Sequence, residues 1–182
     1  MLETARLLLT PLTLEEDAAA LFAIQSDPVV MRYWNHAPWT DLVQARDAIV
    51  ADQAAQADGT LWKLGIRERD SGALVGTCML FAVERDSRRG EIGYNLAASA
   101  QGKGYMTEAL DGFIRHLFTV RGLRRLEAEI DPRNAASAKL LLRLGFQQEG
   151  LLRERWVVDG EISDSALYGL LAEDFQRARP AA

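Results

Sequence analysis

Apolar residues recur at helical spacing most clearly in the middle of the chain. Across residues 106–118 they return every three or four positions, directly after Gly104, which predicts one helix with a single buried face. The same spacing over residues 14–22 predicts an earlier helix, with Thr13 as its N-cap. Two further helices are predicted over residues 40–57 and 135–144.

Alternation of apolar and polar residues predicts the strands. They cover residues 6–11, 62–66, 73–83, 91–96, 126–130, 146–158 and 162–170. Asp159-Gly160 predicts a tight hairpin between the last two strands. Because strands and helices are interspersed, we expect a mixed α/β (α+β) fold in which helices pack on one sheet. No linker interrupts residues 1–182, so we expect a single domain, with a core of about residues 5–171 and a polar tail over residues 175–182.

Composition and charge exclude several classes of function. The 182 residues carry 21 Lys and Arg against 26 Asp and Glu, so the net charge of −5 does not support nucleic-acid binding through phosphates. One cysteine, Cys78, and two histidines are too few for a cysteine-rich zinc site, and we expect no metal. The first residues do not resemble a signal peptide, and no apolar run is long enough to span a bilayer. We therefore expect a cytoplasmic protein that binds neither nucleic acid nor membranes.

A strand, a glycine-containing loop and the clearest helix follow one another over residues 91–110. Gly102 and Gly104 let the backbone approach a ligand closely, and the first turn of a helix offers unpaired N–H groups that favour an anion. This arrangement suits a pyrophosphate, and the alternative is a tight turn that binds nothing. Thr107 stands where the dinucleotide-binding fingerprint has its third glycine, and the spacing of a Walker A loop is also missing.

Residues 101–106, QGKGYM, resemble the pyrophosphate loop Gln/Arg-x-x-Gly-x-Gly/Ala of the GNAT superfamily of acyl-CoA N-acyltransferases. The longer stretch GKGYMTEAL resembles the RimJ/RimL-like branch, the ribosomal-protein N-terminal acetyltransferases and their relatives. Residues 131–146, DPRNAASAKLLLRLGF, are similar to the Asn-x-x-Ser helix and Gly-Phe end of that branch. Met106 departs from the generic loop, and we expect its side chain to join the apolar stripe of the helix.

The resemblance covers almost the whole chain and implies the GNAT fold. This is a bent, mostly antiparallel sheet, flanked by helices, that splays open beside the strand at residues 91–96. It also implies acetyl-CoA as the co-substrate, with pantetheine in the splay and diphosphate on the loop. The residues implied to line pantetheine are Gly93, Tyr94, Asn95 and Leu96, and those implied to hold the diphosphate are Gln101, Gly102, Lys103, Gly104, Tyr105 and Met106. Lys103 would add a local positive charge, or it is simply an exposed loop lysine.

Cys78 lies in an apolar strand, where we expect an inert core thiol, so we expect direct transfer of the acetyl group without an acyl-enzyme. The resemblance implies that backbone N–H near Leu96 stabilises the oxyanion. Glu91 is our candidate general base, and its alternative is a solvated carboxylate at a strand end. Leu141 stands where many GNAT enzymes have a catalytic tyrosine, so the branch implies Ser137 as the donor to the leaving thiolate and Asn134 as a ligand of the cofactor. The alternative is that Asn134 only caps the following helix and Ser137 only sits in its first turn.

An aromatic and polar cluster over residues 31–39 lies between the first two helices. In this fold the region borders the acceptor groove, so it either sets specificity or is a packed loop, and His36 within it is a weak candidate base. We expect an acetyl-CoA-dependent N-acetyltransferase whose acceptor is a protein N-terminal α-amine or a small-molecule amine. The alternative is a noncatalytic CoA-binding or interaction protein that retains the fold. Homodimers are common among such relatives.

Overall fold

A single eight-stranded sheet forms the centre of the protein, which a computed structural model describes over residues 1–178. The strands are β1 (Leu2–Glu3), β2 (Leu7–Thr10), β3 (Trp62–Glu68), β4 (Leu74–Glu84), β5 (Arg89–Leu96), β6 (Arg125–Ile130), β7 (Gln147–Val158) and β8 (Glu161–Leu171). The helices are α1 (Leu14–Gln25), α2 (Pro28–Met31), α3 (Leu42–Asp58), α4 (Tyr105–Thr119), α5 (Ala135–Leu144) and α6 (Ala172–Ala178). The predicted mixed α/β fold class is therefore confirmed.

The sheet opens at its middle. Its strands run in the order β1-β2-β3-β4-β5-β6-β8-β7, and all neighbours are antiparallel except β5 and β6. β5 and β6 pair only over their first three residues, up to Glu91 opposite Glu127. Beyond that point β5 continues to Leu96 beside β4, whereas β6 continues to Ile130 beside β8. The two strands therefore part after Glu91, as the predicted splay requires.

Helices cover both faces of the sheet. Lys63 on β3 forms an ion pair with Asp52 on α3 (Nζ–Oδ2 2.7 Å), whereas the next residue, Leu64, belongs to the core that includes α4. Because successive side chains of a strand point to opposite faces, α3 and α4 lie on opposite sides of the sheet. The predicted apolar stripe of α4 is buried along its whole length, from Met106 to Phe118.

Local sequence sets the ends of several elements. The predicted hairpin at Asp159-Gly160 is confirmed, and both residues have the positive φ (50° and 82°) that a two-residue hairpin turn favours. Thr13 is the N-cap of α1, as predicted, but its side chain makes no capping bond. Instead, the carboxylate of Asp17 accepts a hydrogen bond from the Thr13 N–H (2.7 Å) and binds Arg67 (2.7 Å).

The predicted polar tail is wrong in its first part. Helix α6 continues directly from β8, and the buried ring of Phe175 lies 5.6 Å from that of Phe118 on α4. A single phenylalanine among polar residues produces no apolar periodicity, so the sequence pattern did not reveal this helix. The rest of the predicted tail, residues 179–182, lies outside the described residues.

Candidate active site

A cavity of about 540 Å³ lies where β5 and β6 part. Glu91 and Tyr94 point to opposite faces of β5, yet both line the cavity, so it passes through the gap in the sheet. On one side it reaches Ser137 of α5, and on the other it reaches Trp34 and Trp39 in the loop after α2. Two chemically different regions therefore meet at β5.

The opening leaves backbone groups of β5 without a neighbouring strand. The Ala97 N–H donates to the Val75 carbonyl (2.8 Å), and the direction of backbone groups alternates along an antiparallel pair. The N–H of Leu96, the predicted oxyanion donor, therefore points away from β4 and toward the gap. The Leu96 carbonyl accepts a hydrogen bond from Nε2 of Gln101 (3.2 Å), which joins the predicted loop to the end of β5.

Residues 101–104 of the predicted diphosphate loop are exposed and directly precede α4, whose first residues are Tyr105 and Met106. Gly102 and Gly104 have φ of 76° and 79°, values that glycine adopts without strain. A Cβ on Gly102 would meet nothing within 4 Å, and Gly104 is the N-cap of α4 without a side-chain capping bond. The first N–H groups of α4 thus have no capping side chain and are available to an anion. Met106 is buried on the core face of α4, as expected.

Several side chains brace this loop. Arg6 donates through Nη1 to the Lys103 carbonyl (3.0 Å) and through Nε to Glu108 in the first turn of α4 (2.7 Å). Burial acts to raise the pKa of Glu108, but hydrogen bonds from the Thr4 hydroxyl and from Arg6 lower it overall. The Tyr105 ring lies 4.7 Å from the Arg6 guanidinium and 5.7 Å from the Lys103 ammonium. Two cations therefore lie beside the loop of a protein whose net charge is negative.

Glu91 is a half-buried carboxylate at the point where the strands part. Burial, followed by the charges of Glu129 and Glu127, raises the pKa of Glu91 to about 7, against a lowering effect of Arg155. Within residues 1–178 the Glu91 carboxylate forms no hydrogen bond or ion pair. A group with this pKa is about half ionised at neutral pH, which suits a general base.

The two carboxylates beside Glu91 have partners of their own. Glu127 binds Arg89 (3.0 Å) and Arg125 (2.8 Å). Glu129 accepts a hydrogen bond from the indole N–H of Trp156 (2.8 Å) and lies 3.4 Å from Nε of Arg155. Glu91 is therefore the one member of this carboxylate group, among the residues described, that is left to interact with a ligand.

A bulge in β7 lets the side chains of Arg155 and Trp156 reach Glu129 on β6, although β8 lies between the two strands. The register between β7 and β8 shifts before Trp156, and Glu154 in this stretch has a φ of 51°, which is uncommon outside glycine. Such a bulge redirects the side chains of a strand. Sequence reasoning missed Arg155, Trp156 and Glu129 as cavity residues. The alternation of Glu127 and Glu129 with apolar residues indicated that β6 has a polar face. The sequence did not indicate which strand supplies the side chains that contact this face.

Ser137 and Asn134 lie together at the start of α5. Asn134 is the N-cap, and its Oδ1 accepts a hydrogen bond from the Ser137 N–H (3.1 Å). The Ser137 hydroxyl is 2.7 Å from the phenolic oxygen of Tyr94 on β5. Leu141, at the position of the missing tyrosine, is fully buried. The structure therefore brings Tyr94, Asn134 and Ser137 to one side of the cavity, and the capping alternative for Asn134 is realised without preventing its Nδ2 from meeting a ligand.

The aromatic cluster lines the opposite side of the cavity. The His36 ring lies 5.8 Å from that of Trp34 and 6.4 Å from that of Trp39, and its Nδ1 is 2.9 Å from the Ala37 carbonyl. Tyr33 from the same loop also lines the cavity. The cluster thus faces the cavity and is not a loop packed only against the rest of the protein.

Two predicted cofactor residues contribute little side chain to the cavity. A Cβ on Gly93 would come within 2.7 Å of the Met79 side chain, so glycine permits the close packing of β4 and β5 there. Asn95 is buried, and its Oδ1 accepts hydrogen bonds from the N–H and the hydroxyl of Thr77 (3.1 and 2.9 Å). Cys78 is buried and burial raises the pKa of its thiol, so it is unsuited to act as a nucleophile.

Two further properties concern residues 1–178. No helix there combines the length and apolar character needed to cross a membrane. The same residues hold no group of three or more His, Cys, Asp or Glu side chains placed to bind a metal ion.

Comparison with known proteins identifies relatives along the whole chain. Residues 6–147 match the family described as acetyltransferase (GNAT) domain. The chain is 37% identical over 174 residues to the uncharacterised N-acetyltransferase p20 of Bacillus licheniformis. The matched residues cover 96% of this chain and 97% of that protein. It is 32% identical over 122 residues to the [ribosomal protein uS5]-alanine N-acetyltransferase of Escherichia coli (strain K12), over 66% of this chain and 63% of that one.

A solved structure agrees with these relatives. Mycobacterium smegmatis RimJ in complex with CoA-disulfide superimposes with a TM-score of 0.83 and 28% identity, over 97% of this chain and 85% of that chain. The family match covers well over half of the chain, and the sheet opens at the strand where a GNAT sheet is expected to splay. The chain therefore belongs to the GNAT family of acetyltransferases, on its RimJ/RimL-like branch, and is an N-acetyltransferase.

Proposed function

We propose that the protein transfers an acetyl group from acetyl-CoA directly to a primary amine, preferentially an α-amine at the N-terminus of a polypeptide. One observation carries this proposal: a carboxylate with a pKa of about 7, Glu91, and a hydroxyl donor, Ser137, line the same cavity at the opening of the sheet. Acyl transfer to an amine needs both a base for the amine and a donor for the leaving group.

The residues on the α4 side of the sheet fit acetyl-CoA, which supplies the acetyl group as a thioester. The N–H groups at the start of α4, reached through Gly102 and Gly104, suit a diphosphate, and Lys103 adds a positive charge. The N–H of Leu96 at the edge of the gap suits the thioester carbonyl oxygen. Asn134, through its Nδ2, suits a polar group of the pantetheine arm.

The role of Glu91 is to take a proton from the acceptor amine. An α-amine has a pKa of about 7.7–8.0, close to the pKa of about 7 of Glu91, whereas a lysine amine at about 10.4 is neutral in only about one molecule in a thousand at pH 7.4. Proton transfer from an α-ammonium to Glu91 is therefore almost thermoneutral. The matched pKa values favour an α-amine over a lysine side chain.

The acceptor side of the cavity favours a cation. Glu129 and the unpaired Glu91 supply negative charge, and Trp39 is one of several rings whose faces attract an ammonium group. The cationic side chains in the same lining, Lys63 and Arg155, each contact a carboxylate (2.7 and 3.4 Å). The similar enzyme of Escherichia coli is named for acetylation of an alanine in ribosomal protein uS5, which supports the same acceptor class here.

The role of Ser137 is to donate a hydrogen bond to the sulfur as the C–S bond breaks. The Ser137 N–H is fixed by Asn134, so the hydroxyl has a defined position in the first turn of α5. A thiolate with a pKa near 8.5 leaves readily when a single donor stabilises it, and full protonation by the protein is unnecessary.

The test is CoA thiol release from acetyl-CoA across a panel of acceptors. The panel sets peptides with a free α-amine beside the same peptides blocked by N-acetylation, together with polyamines and free amino acids. We expect turnover on free peptides and none on blocked ones. Turnover on small amines alone would contradict the acceptor class, and binding of acetyl-CoA without any thiol release would contradict the transferase activity.

A further inference from the structure

Two hydroxyl groups meet across the opening between β5 and β6. The phenolic oxygen of Tyr94 on β5 lies 2.7 Å from Oγ of Ser137 on α5, and both residues line the cavity that holds Glu91. We propose that Tyr94 is a positioning residue that directs the single proton of Ser137 toward the departing sulfur. This inference rests on the proposed function. It gives Tyr94 a role in positioning Ser137, in addition to the contact with pantetheine that the resemblance implies.

Either oxygen of the pair could be the donor, and the relative acidity of the two hydroxyls favours Tyr94. Each hydroxyl has one proton, so two hydroxyls in contact use one proton between them and leave one free. A phenol is a stronger acid than an aliphatic hydroxyl and is the better donor, so Tyr94 donates to Ser137. Burial raises the pKa of Tyr94 to about 12, which keeps its proton in place at neutral pH. The free proton of the pair is therefore on Ser137.

Without Tyr94 the Ser137 hydroxyl would have a competing partner. A serine in a helix readily donates to a carbonyl one turn earlier, a bond that withdraws its proton from the cavity. The bond from Tyr94 occupies Oγ from the opposite side and opposes that rotation. Leu141, one turn further along α5, has no hydroxyl and is fully buried, so it cannot replace Ser137.

Neither the Tyr94 nor the Ser137 hydroxyl loses its proton during acetyl transfer. The neutral amine nitrogen forms the C–N bond with the thioester carbon, the C–S bond breaks, and its electron pair stays on sulfur. Glu91 has by then released the proton of the ammonium form to the solvent, so it takes the extra proton of the amine after the attack, and the thiolate later takes a proton from water. Ser137 only donates a hydrogen bond, because an aliphatic hydroxyl is a far weaker acid than a thiol with a pKa near 8.5.

The test is a double-mutant cycle on steady-state kinetics with acetyl-CoA and a free-amine peptide. We expect Tyr94→Phe to lower kcat about threefold to tenfold, with the KM for acetyl-CoA within about twofold of wild type. Ser137→Ala should lower kcat at least as much. The double variant should be no slower than Ser137→Ala alone, because Tyr94 acts only through Ser137.

Tyr168→Phe is the matched control. Tyr168 is another buried phenol, and it lies on β8 outside the proposed machinery, so the kcat of this variant should stay within about twofold of wild type. Thermal unfolding of each variant checks that the fold is retained. An equal loss from Tyr94→Phe in both backgrounds, or full kcat in Tyr94→Phe or Ser137→Ala, would overturn the inference. The absence of thiol release from the wild-type enzyme would instead refute the proposed function.

Discussion

Replacing Glu91 with glutamine should stabilise the folded protein at high pH while removing its base. The folded protein raises the pKa of Glu91 from 4.5 to about 7. At about 1.4 kcal/mol per pH unit, holding this carboxylate ionised costs the fold about 3 kcal/mol, and screening of the partly exposed group reduces the figure to about 1–2 kcal/mol.

The sign follows from proton linkage. A group whose pKa is raised on folding destabilises the fold as pH rises from its unfolded value, near 4.5, through its folded value, near 7. Glu91→Gln removes this loss, so the variant should match wild type at about pH 4, below the unfolded pKa, and exceed it at about pH 8.5 by about 1–2 kcal/mol. Urea unfolding at the two pH values measures the difference. An equal difference at both values, or wild type more stable at pH 8.5, would refute the account of Glu91.

Two further substitutions test the neighbourhood of the site. Glu129→Gln should move the acidic limb of the pH profile of kcat/KM to lower pH by roughly half a unit to one unit, because one of the charges that raise the pKa of Glu91 is lost; an unmoved limb would show that another group titrates. Arg6→Met should weaken acetyl-CoA binding about fivefold at low salt, because Glu108 then faces the diphosphate without its cation. Calorimetry at two salt concentrations measures this effect, and unchanged affinity would exclude a role for Arg6.

Elements with strong local signals were predictable from the sequence. The stripe of α4 and the Asp159-Gly160 hairpin depend on periodicity and on a turn that favours positive φ, both of which are local properties. Helix α6 was missed because its buried residue, Phe175, packs against α4, which is distant in the sequence, at Phe118 and Arg115. The N-cap position of Thr13 was predictable as well, but not the bond from its N–H to Asp17, a buried carboxylate that also pairs with Arg67.

Only some residues of the candidate site could be predicted from the sequence. The loop before α4 and the Asn-x-x-Ser helix are contiguous motifs, so their residues could be named from sequence. The contact of Trp156 with Glu129 depends on a bulge in β7, and the contact of Tyr94 with Ser137 depends on how α5 lies across the opening. Both join residues far apart in the chain, and no local pattern encodes such a distance.

The most direct test of the central claim is calorimetric titration of acetyl-CoA into wild-type protein and into Gly104→Val. A branched side chain at Gly104, where φ is 79°, would obstruct the loop on which the diphosphate is expected to lie. Gly72→Val is the matched control, because Gly72 has a similar φ of 70°, has no neighbouring atom within 4 Å of its Cβ position and lies in a turn away from the cavity. We predict one-to-one binding by wild type and Gly72→Val, and none by Gly104→Val; equal affinity in all three would contradict the assignment of the cofactor site.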